Sequence, residues 1–331
     1  MPRALITGIT GQDGGFLAER LLDEDWQVHG LVHAGDGHVE ELRRRTSSVK
    51  LHEGDLADAA AMHELVNEVA PDEIYNLGGI SSVALSWKHP LLTAQVTGLG
   101  AGAVLEAGWQ LKQRSGREVR VLQASSAEMF GMPAQSPQSE ATPISPVSPY
   151  GAAKAFAHHL VGVYRARGLH AVSCILYNHE SPRRPPQFVT RKITRAAALI
   201  AVGRQDSLEL GSLDVRRDWG WAPDYVDAMM RAIRYPHPHD FIIATGESHS
   251  VADFVEVAFG HAGLSPWRRY VSLDESLIRP VDAAELVGDS GKARRLLGWR
   301  PAVGFDDMVR RMVDSDLREV SSRVDGSNSE R

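Results

Sequence analysis

Ala4-Leu5-Ile6-Thr7-Gly8-Ile9-Thr10-Gly11-Gln12-Asp13-Gly14 opens this chain of 331 residues. Ala4–Thr7 reads as a short apolar strand, and Gly15–Leu22 as an amphipathic helix. Three glycines lie between them. Gly8 permits the tight turn, Gly11 lets a pyrophosphate approach the backbone, and Gly14 packs helix on strand. Spaced glycines alone are a weak signal. Directly after a first strand and opening a helix, they are a strong one.

Outward from that turn, strands and helices alternate. Gln27–Val32, Val49–His52, Glu73–Leu77, Val119–Ala124 and Ala171–Leu176 read as strands. Ala59–Val69, Leu91–Trp109 and Tyr150–Arg167 read as the helices between them. Such alternation predicts a parallel sheet with helices on both faces. With the glycine turn it predicts an α/β chain, a doubly wound NAD(P)-binding Rossmann fold. Beyond residue 178 prolines and arginines cluster in Ser181-Pro182-Arg183-Arg184-Pro185-Pro186, and shorter elements follow. Helix patterns cover Arg191–Gly203, Tyr225–Arg234, Val251–Gly260, Gly291–Leu297 and Phe305–Leu317; short strands cover Leu208–Leu210, Phe241–Ala244 and Arg269–Val271. The expected division is a dinucleotide domain over 1–178 and, over 179–320, a smaller α/β substrate lobe interleaved with the last sheet strands. A polar, disordered tail is expected over 321–331.

Bulk properties narrow the function classes. A hydrophobic fraction of 43% suffices for one large core or a main domain with a second lobe. Net charge of −6 and a pI near 6.2 argue against a nucleic-acid or acidic-membrane partner. No apolar run reaches the roughly 18 residues of a membrane span, and no signal peptide precedes the first strand. The lone Cys174 lies in an apolar strand pattern and reads as a buried thiol. Together these features predict a soluble cytoplasmic protein.

The second chemical signature is Ser148-Pro149-Tyr150-Gly151-Ala152-Ala153-Lys154. Tyr150 and Lys154 fall one turn apart on one helix face. The lysine charge is expected to favour the phenolate, whose free pKa is about 10. A nicotinamide beside that tyrosine would complete an alcohol-oxidising site. Upstream, Gln123-Ala124-Ser125-Ser126-Ala127-Glu128 supplies a hydroxyl and a carboxyl. Glu128 is a base that a simple dehydrogenase does not need.

Other residues read less sharply. The end of the second strand reads the adenosine ribose, with an acid there for NAD and an arginine for NADP. The chain has Val32-His33-Ala34-Gly35-Asp36, which is clean for neither. Arg43, Arg44 and Arg45 supply either charge for a phosphate or a solvated helix face. Asp55 is placed to meet the adenine edge. Lys192, Arg217 and Arg279 suit a diphosphate, because guanidinium offers a planar fork to phosphate oxygens. No metal is expected: His158 and His159 point to different sides of a helix, and His237-Pro238-His239 lacks carboxylate or thiol company.

At this point the motifs resemble the extended short-chain dehydrogenases/reductases, and within them the GDP-mannose 4,6-dehydratase family. The resemblance spans residues 3 to 317. It rests on the glycine turn, Ser148 to Lys154, Asn178-His179-Glu180-Ser181-Pro182-Arg183-Arg184, Phe188-Val189-Thr190-Arg191-Lys192, Arg217-Asp218-Trp219-Gly220, Ala244-Thr245-Gly246-Glu247 and Gly298-Trp299-Arg300-Pro301. It implies catalytic roles for Ser126, Glu128, Tyr150 and Lys154. It implies cofactor contacts at Gly8, Thr10, Gly11, Gln12, Asp13, Gly14, His33, Asp55 and Leu56. Leu77, Gly78, Gly79, Ser81, His179 and Arg184 join them, with Tyr150 and Lys154. The GDP-sugar would be held by Ser81, Ser126, Glu128, Asn178, Val189, Lys192, Arg217 and Arg279.

The resemblance implies NADP as cofactor, with NAD possible, and an internal redox elimination of water. It also implies a homodimer through a four-helix bundle, with a tetramer possible. Leu99, Val104, Leu105, Phe156, Leu160 and Val163 read as apolar positions beyond what one sheet face needs. The family's arginine loop after the second strand is replaced here by His33-Ala34-Gly35. Ala127, Ile80, Leu92 and Thr97 also depart from the family's usual residues. Related epimerases and reductases carry a small or non-acidic residue where Glu128 stands. A cofactor-sensing regulator of the same fold has no need of Ser126, Tyr150 and Lys154.

Overall fold

Ala4, Leu5 and Ile6 have no exposed surface, so the first strand is covered on both faces. A computed structural model describes the backbone of residues 1–328 and the side chains of residues 1–322. In chain order the first half runs β1 (Arg3–Thr7), α1 (Gln12–Asp23), β2 (Gln27–Val32), α2 (Val39–Arg45), β3 (Lys50–Glu53), α3 (Ala59–Val69) and β4 (Glu73–Asn76). It continues through α4 (Val83–Lys88), α5 (Pro90–Thr93), α6 (Gly100–Ser115), β5 (Arg120–Ser126), α7 (Pro149–Ala166) and β6 (His170–Leu176). The second half holds β7 (Asn178–Glu180), α8 (Val189–Ala201), β8 (Leu208–Leu210), β9 (Arg216–Arg217), β10 (Trp219–Trp221) and α9 (Ala222–Arg234). β11 (Asp240–Ile243), β12 (His249–Ser250), α10 (Val251–His261), β13 (Val271–Leu273), β14 (Glu285–Leu286), α11 (Gly291–Leu297) and α12 (Phe305–Asn328) complete it.

Seven parallel strands form the main sheet in the order β3-β2-β1-β4-β5-β6-β11. Strand order reverses between β1 and β4, which opens a crevice at their carboxyl ends. Alternation along the strands builds the two layers. Leu5, Ile74 and Val121 face α3 and α6, within a core that includes Val104 and Leu105. Their neighbours Ile6, Tyr75 and Leu122 face the opposite side, with Tyr225 and Trp299. A further core gathers Ile193, Trp219, Phe254, Met308 and Met312 between α8, α10 and α12. Truncating one such fully buried leucine or isoleucine costs about 2–5 kcal/mol.

Local chemistry starts the helices. Asp58 accepts hydrogen bonds from the backbone N–H groups of Ala60 and Ala61 at the head of α3. At α7, Ser148 accepts from Gly151 N–H at 3.0 Å, and Pro149 takes the first helical position. That cap fixes where Tyr150 and Lys154 begin their turn.

Three expected elements differ. The single helix over Leu91–Trp109 is instead α5, a π-helical stretch over Ala94–Leu99, and α6. The π turn places Thr97 inside, where its hydroxyl accepts from Ile80 N–H at 3.0 Å. The expected strand Arg269–Val271 begins at Val271, because Trp267–Tyr270 form a 3₁₀ turn. The tail expected from Ser321 is drawn into α12 as far as Asn328, since no proline interrupts the helix; residues 329–331 lie outside the described residues. Among the described residues no helix is long and apolar enough to cross a membrane.

Candidate active site

Gly8 has φ of +68°, and a Cβ there would stand 2.8 Å from Gly78 N. The turn after β1 and the turn after β4 therefore close on each other through glycines. A Cβ at Gly14 would stand 2.3 Å from Gly8 O and 2.6 Å from Ile9 Cα, so α1 docks on its own turn only as glycine. Gly11 precedes α1, and among the described residues no side chain caps that end. The free N–H groups and the helix dipole face the crevice, an arrangement that fits a pyrophosphate.

Beside this turn lies a cleft of about 340 Å³. Gly8, Thr10, His33, Asp55, Leu56, Gly78 and Gly79 line it, all residues singled out in the sequence. Ile80, Leu92 and Asp36 line it too. Gly79 adopts φ of +147°, and a Cβ there would press on Thr97 Oγ1 at 3.0 Å. Leu77 is half-buried at the head of the same turn. Ser81 is exposed just beyond it, outside the residues that line the cleft. The cradle, helix end and cleft together fit a dinucleotide.

Gln12 and Asp13, the first residues of α1, reach across to β7. Gln12 Nε2 donates to His179 O at 3.0 Å, and Ser181 Oγ donates to Gln12 Oε1 at 2.7 Å. His179 Nε2 lies 2.8 Å from Asp13 Oδ2, while its Nδ1 meets Tyr177 O at 2.7 Å. Burial raises the Asp13 carboxyl, but the charge and hydrogen bond of His179 bring it below its ordinary value. Burial lowers His179, but Asp13 carries it above its own. Arg184 lies 3.3 Å from Glu180 and stacks on Phe188.

Across the crevice stand the residues of β5 and α7. Ser126 ends β5, and its hydroxyl accepts from Glu128 N–H at 3.3 Å at the head of a 3₁₀ turn, Ala127–Phe130. Tyr150 is buried; its backbone N–H donates to Ser86 Oγ at 3.2 Å, and the Ser126 side chain acts on its phenol. Lys154 Nζ donates to Ala124 O at 2.7 Å and stands 5.8 Å from the Tyr150 ring centre.

The expected lowering of the Tyr150 pKa by Lys154 is not what the protein alone produces. Burial pushes the phenol up to about 12, against the pull of the Ser126 hydrogen bond. Burial also lowers Lys154, to about 8, because its ammonium group has a carbonyl partner but little water. Glu128 is only 18% exposed, and burial raises its carboxyl above the ordinary range. Arg279, at 3.7 Å, and Arg217 pull it back part of the way.

Two of the C-terminal-lobe cations, Arg217 and Arg279, cluster at Glu128. Arg217 pairs with Asp282 and donates to Ala283 O at 2.9 Å; Arg279 stands 3.4 Å from Asp282. Lys192 lies apart from that cluster. Its Nζ donates to Glu209 O at 2.7 Å, in a separate cleft with Pro186 and Arg195. The two regions are joined by β8 pairing with β13, which leads into the segment carrying Arg279. Asn178 opens β7, and Val189 stands exposed at the head of α8.

Sequence reasoning missed several residues. Asp282 holds both arginines, and its one sequence signal is an acid three positions after Arg279. Asp218 accepts from Thr245 N–H, Thr245 Oγ1 and Gly246 N–H at 2.7–2.8 Å, binding the segment after β11 to β9 and β10. Asp36 accepts from Thr10 Oγ1 at 2.6 Å. Each is an acid with at least one partner far away in sequence.

The chain matches the family model described as GDP-mannose 4,6 dehydratase over residues 5–312. It is 45% identical over 330 residues to GDP-mannose 4,6 dehydratase 1 of Arabidopsis thaliana, covering 97% of this chain and 91% of that protein. Identity to the GDP-mannose 4,6 dehydratase of Homo sapiens is 43% over 342 residues, covering 95% of this chain and 91% of that one. The solved UDP-glucose 4-epimerase of Thermus thermophilus, in complex with NAD, superposes with a TM-score of 0.82 at 27% identity, covering 95% of this chain and 98% of that chain. With its glycine turn, its Tyr150–Lys154 helix and Glu128 beside them, this chain belongs to the GDP-mannose 4,6-dehydratase family.

Proposed function

We propose that the protein removes water from GDP-D-mannose to give GDP-4-dehydro-6-deoxy-D-mannose, with a nicotinamide adenine dinucleotide held in the crevice. The observation that carries this reading is Glu128. It is a half-buried carboxyl with a raised pKa, two residues from Ser126 and close enough to Tyr150 for its charge to act on the phenol.

Gly8, Gly11, Gly14 and the head of α1 would hold the pyrophosphate of the cofactor; Thr10, His33, Asp55 and Leu56 line the adenosine end. Tyr150, Lys154 and His179 would stand about its nicotinamide half. When bound, the oxidised nicotinamide supplies the hydride acceptor for C4 and the later donor for C6, and its positive charge favours the Tyr150 phenolate. Tyr150 takes the C4 hydroxyl proton as Ser126 holds the oxygen. The C4 ketone acidifies the C5 proton, which Glu128 removes as general base. Glu128 then gives that proton to the departing C6 hydroxyl, which leaves as water. The proton held by Tyr150 balances the one that C5 takes back. Arg217 and Arg279 bind the diphosphate, and Lys192 the nucleoside side.

The resemblance implies NADP, and the alternative NAD turns on the residues behind β2. A homodimer is part of this reading. Leu91, Leu99, Phe156 and Val163 are exposed along α5, the π turn and α7, as an apolar face for a second copy. Val104 and Leu105, read from sequence as surplus, instead belong to the chain's own core, and Leu160 packs beside them. The protein works in the cytoplasm on this reading.

Incubating purified protein with GDP-D-mannose and following the nucleotide sugars by mass spectrometry tests the assignment. The expected product has lost one water without net cofactor consumption. A product reduced or epimerised without loss of water would replace dehydration by one of the related activities.

A further inference from the structure

Asp36 lies about 20 residues beyond the glycine turn, where a dinucleotide fold reads the adenosine ribose. Its neighbours His33, Ala34, Gly35 and Gly37 are exposed, but its own side chain is only 19% exposed. The carboxylate turns inward because Thr10, from the phosphate turn itself, donates to Oδ2 at 2.6 Å. His38 N–H donates to Oδ1 at 2.9 Å, and His38 Nδ1 lies 3.1 Å from the same oxygen. The acid is thus fixed from both sides and lines the cleft described above.

From this placement we infer that Asp36 accepts a hydrogen bond from the ribose 2′-hydroxyl and selects NAD over NADP. The inference rests on the dinucleotide reading of that cleft, and it departs from the cofactor that the family resemblance implies.

Charge decides the direction. Burial works to raise Asp36, but the hydrogen bonds from Thr10 and His38 bring it below its ordinary value, so the group is an anion at neutral pH. Asp55 lines the same cleft, and among the described residues no arginine or lysine does. The arginines of α2 point elsewhere. Arg43 lies 3.3 Å from Glu40, Arg44 donates to Glu40 O, and Arg45 pairs with Glu41, all on the exposed face. His33, the other candidate, is occupied with Ala34 O at 2.9 Å. A phosphate monoester carries about −1.5 to −2 charges near neutral pH. Placed beside Asp36 it would find repulsion and no cation. A 2′-hydroxyl would find a fixed acceptor, and a hydrogen bond to a charged partner is stronger than one between neutral groups.

The test begins with the nucleotide that copurifies, released by denaturation and identified by chromatography. Stripped protein is then titrated with NAD and with NADP by calorimetry. NAD should be the nucleotide released, and it should bind about tenfold to a hundredfold more tightly than NADP. In Asp36→Asn, which keeps the shape and removes the charge, that ratio should fall by about tenfold or more, chiefly through better NADP binding. NADP binding to the unaltered protein as tightly as NAD would overturn the inference while leaving the dinucleotide site in place. So would an unchanged ratio in Asp36→Asn. Loss of both nucleotides in the variant would make Asp36 an anchor of its loop and equally overturn it. Failure of the unaltered protein to bind either nucleotide would remove the cleft's assignment, and this inference with it.

Discussion

His179 Nε2 and Asp13 Oδ2 stand 2.8 Å apart, though 166 positions separate the two residues in the chain. One lies at the start of the helix after β1, and the other lies on β7, where the main sheet gives way to the C-terminal lobe. The pair ties the cofactor turn to the segment that leads to Arg184, and its charges set a window of pH. The depressed pKa of Asp13 makes its contribution present above 3.8, its ordinary value, and lost as pH falls through the lower folded value. The raised pKa of His179 makes its contribution present below 6.5 and lost as pH rises through the higher folded value. The stability gap between the unaltered protein and His179→Gln should therefore be greatest between these two ordinary values and narrow on either side. Urea unfolding of both at a series of pH values measures it; a gap independent of pH would show that no ion pair is formed.

Glu128→Gln should stop dehydration and leave nucleotide binding nearly unchanged. The amide is close in shape but cannot take the C5 proton. Oxidation at C4 can still proceed, so the absorbance of reduced nicotinamide should build up after substrate is added. Normal turnover by this variant would take Glu128 out of the mechanism.

Tyr150→Phe removes the hydroxyl and keeps the buried ring. The rate should fall by about 10²–10⁴-fold, the usual worth of one positioned acid or base. Single-turnover kinetics should show the loss already at hydride transfer. A fall of less than tenfold would route the proton through Ser126 and water instead.

Half-buried Glu128 also predicts an acid limb in the rate. The carboxyl must be ionised to act as base, and burial raises its pKa. kcat/KM should therefore fall with decreasing pH, about a midpoint above the usual carboxylate range near 4.3. Arg279→Gln removes a charge that holds the Glu128 pKa down, so its midpoint should move to still higher pH. A midpoint that moves down, or stays, would separate Arg279 from Glu128.

Gly14→Ala would bring a methyl group to 2.3 Å from Gly8 O, and neither backbone can yield without moving α1. Overpacking of this kind costs about 1–3 kcal/mol. Denaturant unfolding should show that loss, together with weakened dinucleotide binding. An unchanged midpoint would mean that α1 does not need its close seat on the turn.

Phe156 is 45% exposed on α7 and Val163 is 53% exposed two turns along the same face. Light scattering should find a dimer, and Phe156→Glu should shift it towards monomer with the fold intact by circular dichroism. A monomer of the unaltered protein at micromolar concentration would leave the apolar face without its second copy.

Much of this protein could be read locally. A strand followed by Gly8, Gly11 and Gly14 specifies the turn, because Gly8 takes a positive φ and Gly11 and Gly14 answer contacts within a few residues of themselves; that Gly8 also closes on Gly78 is not local. Tyr150 and Lys154 share a face because a helix repeats every turn, and Ser148 with Pro149 says where that helix starts. The main strands follow from apolar runs covered on both sides. Over Leu91–Trp109 a distant contact overrides local preference. The π turn exists because Thr97 meets the loop at Gly79 and Ile80, which no helical period announces.

Only the tertiary structure decided which acids and bases meet. Asp13 with His179, Asp36 with Thr10, and Asp282 between Arg217 and Arg279 arise where strand order brings separate loops to one end of the sheet. Desolvation acts at the same level. The spacing of Tyr150 and Lys154 foretells their neighbourhood, but burial takes the phenol up to about 12 and the ammonium down to about 8. Spacing is a property of the chain, whereas the water removed from a side chain depends on everything folded around it.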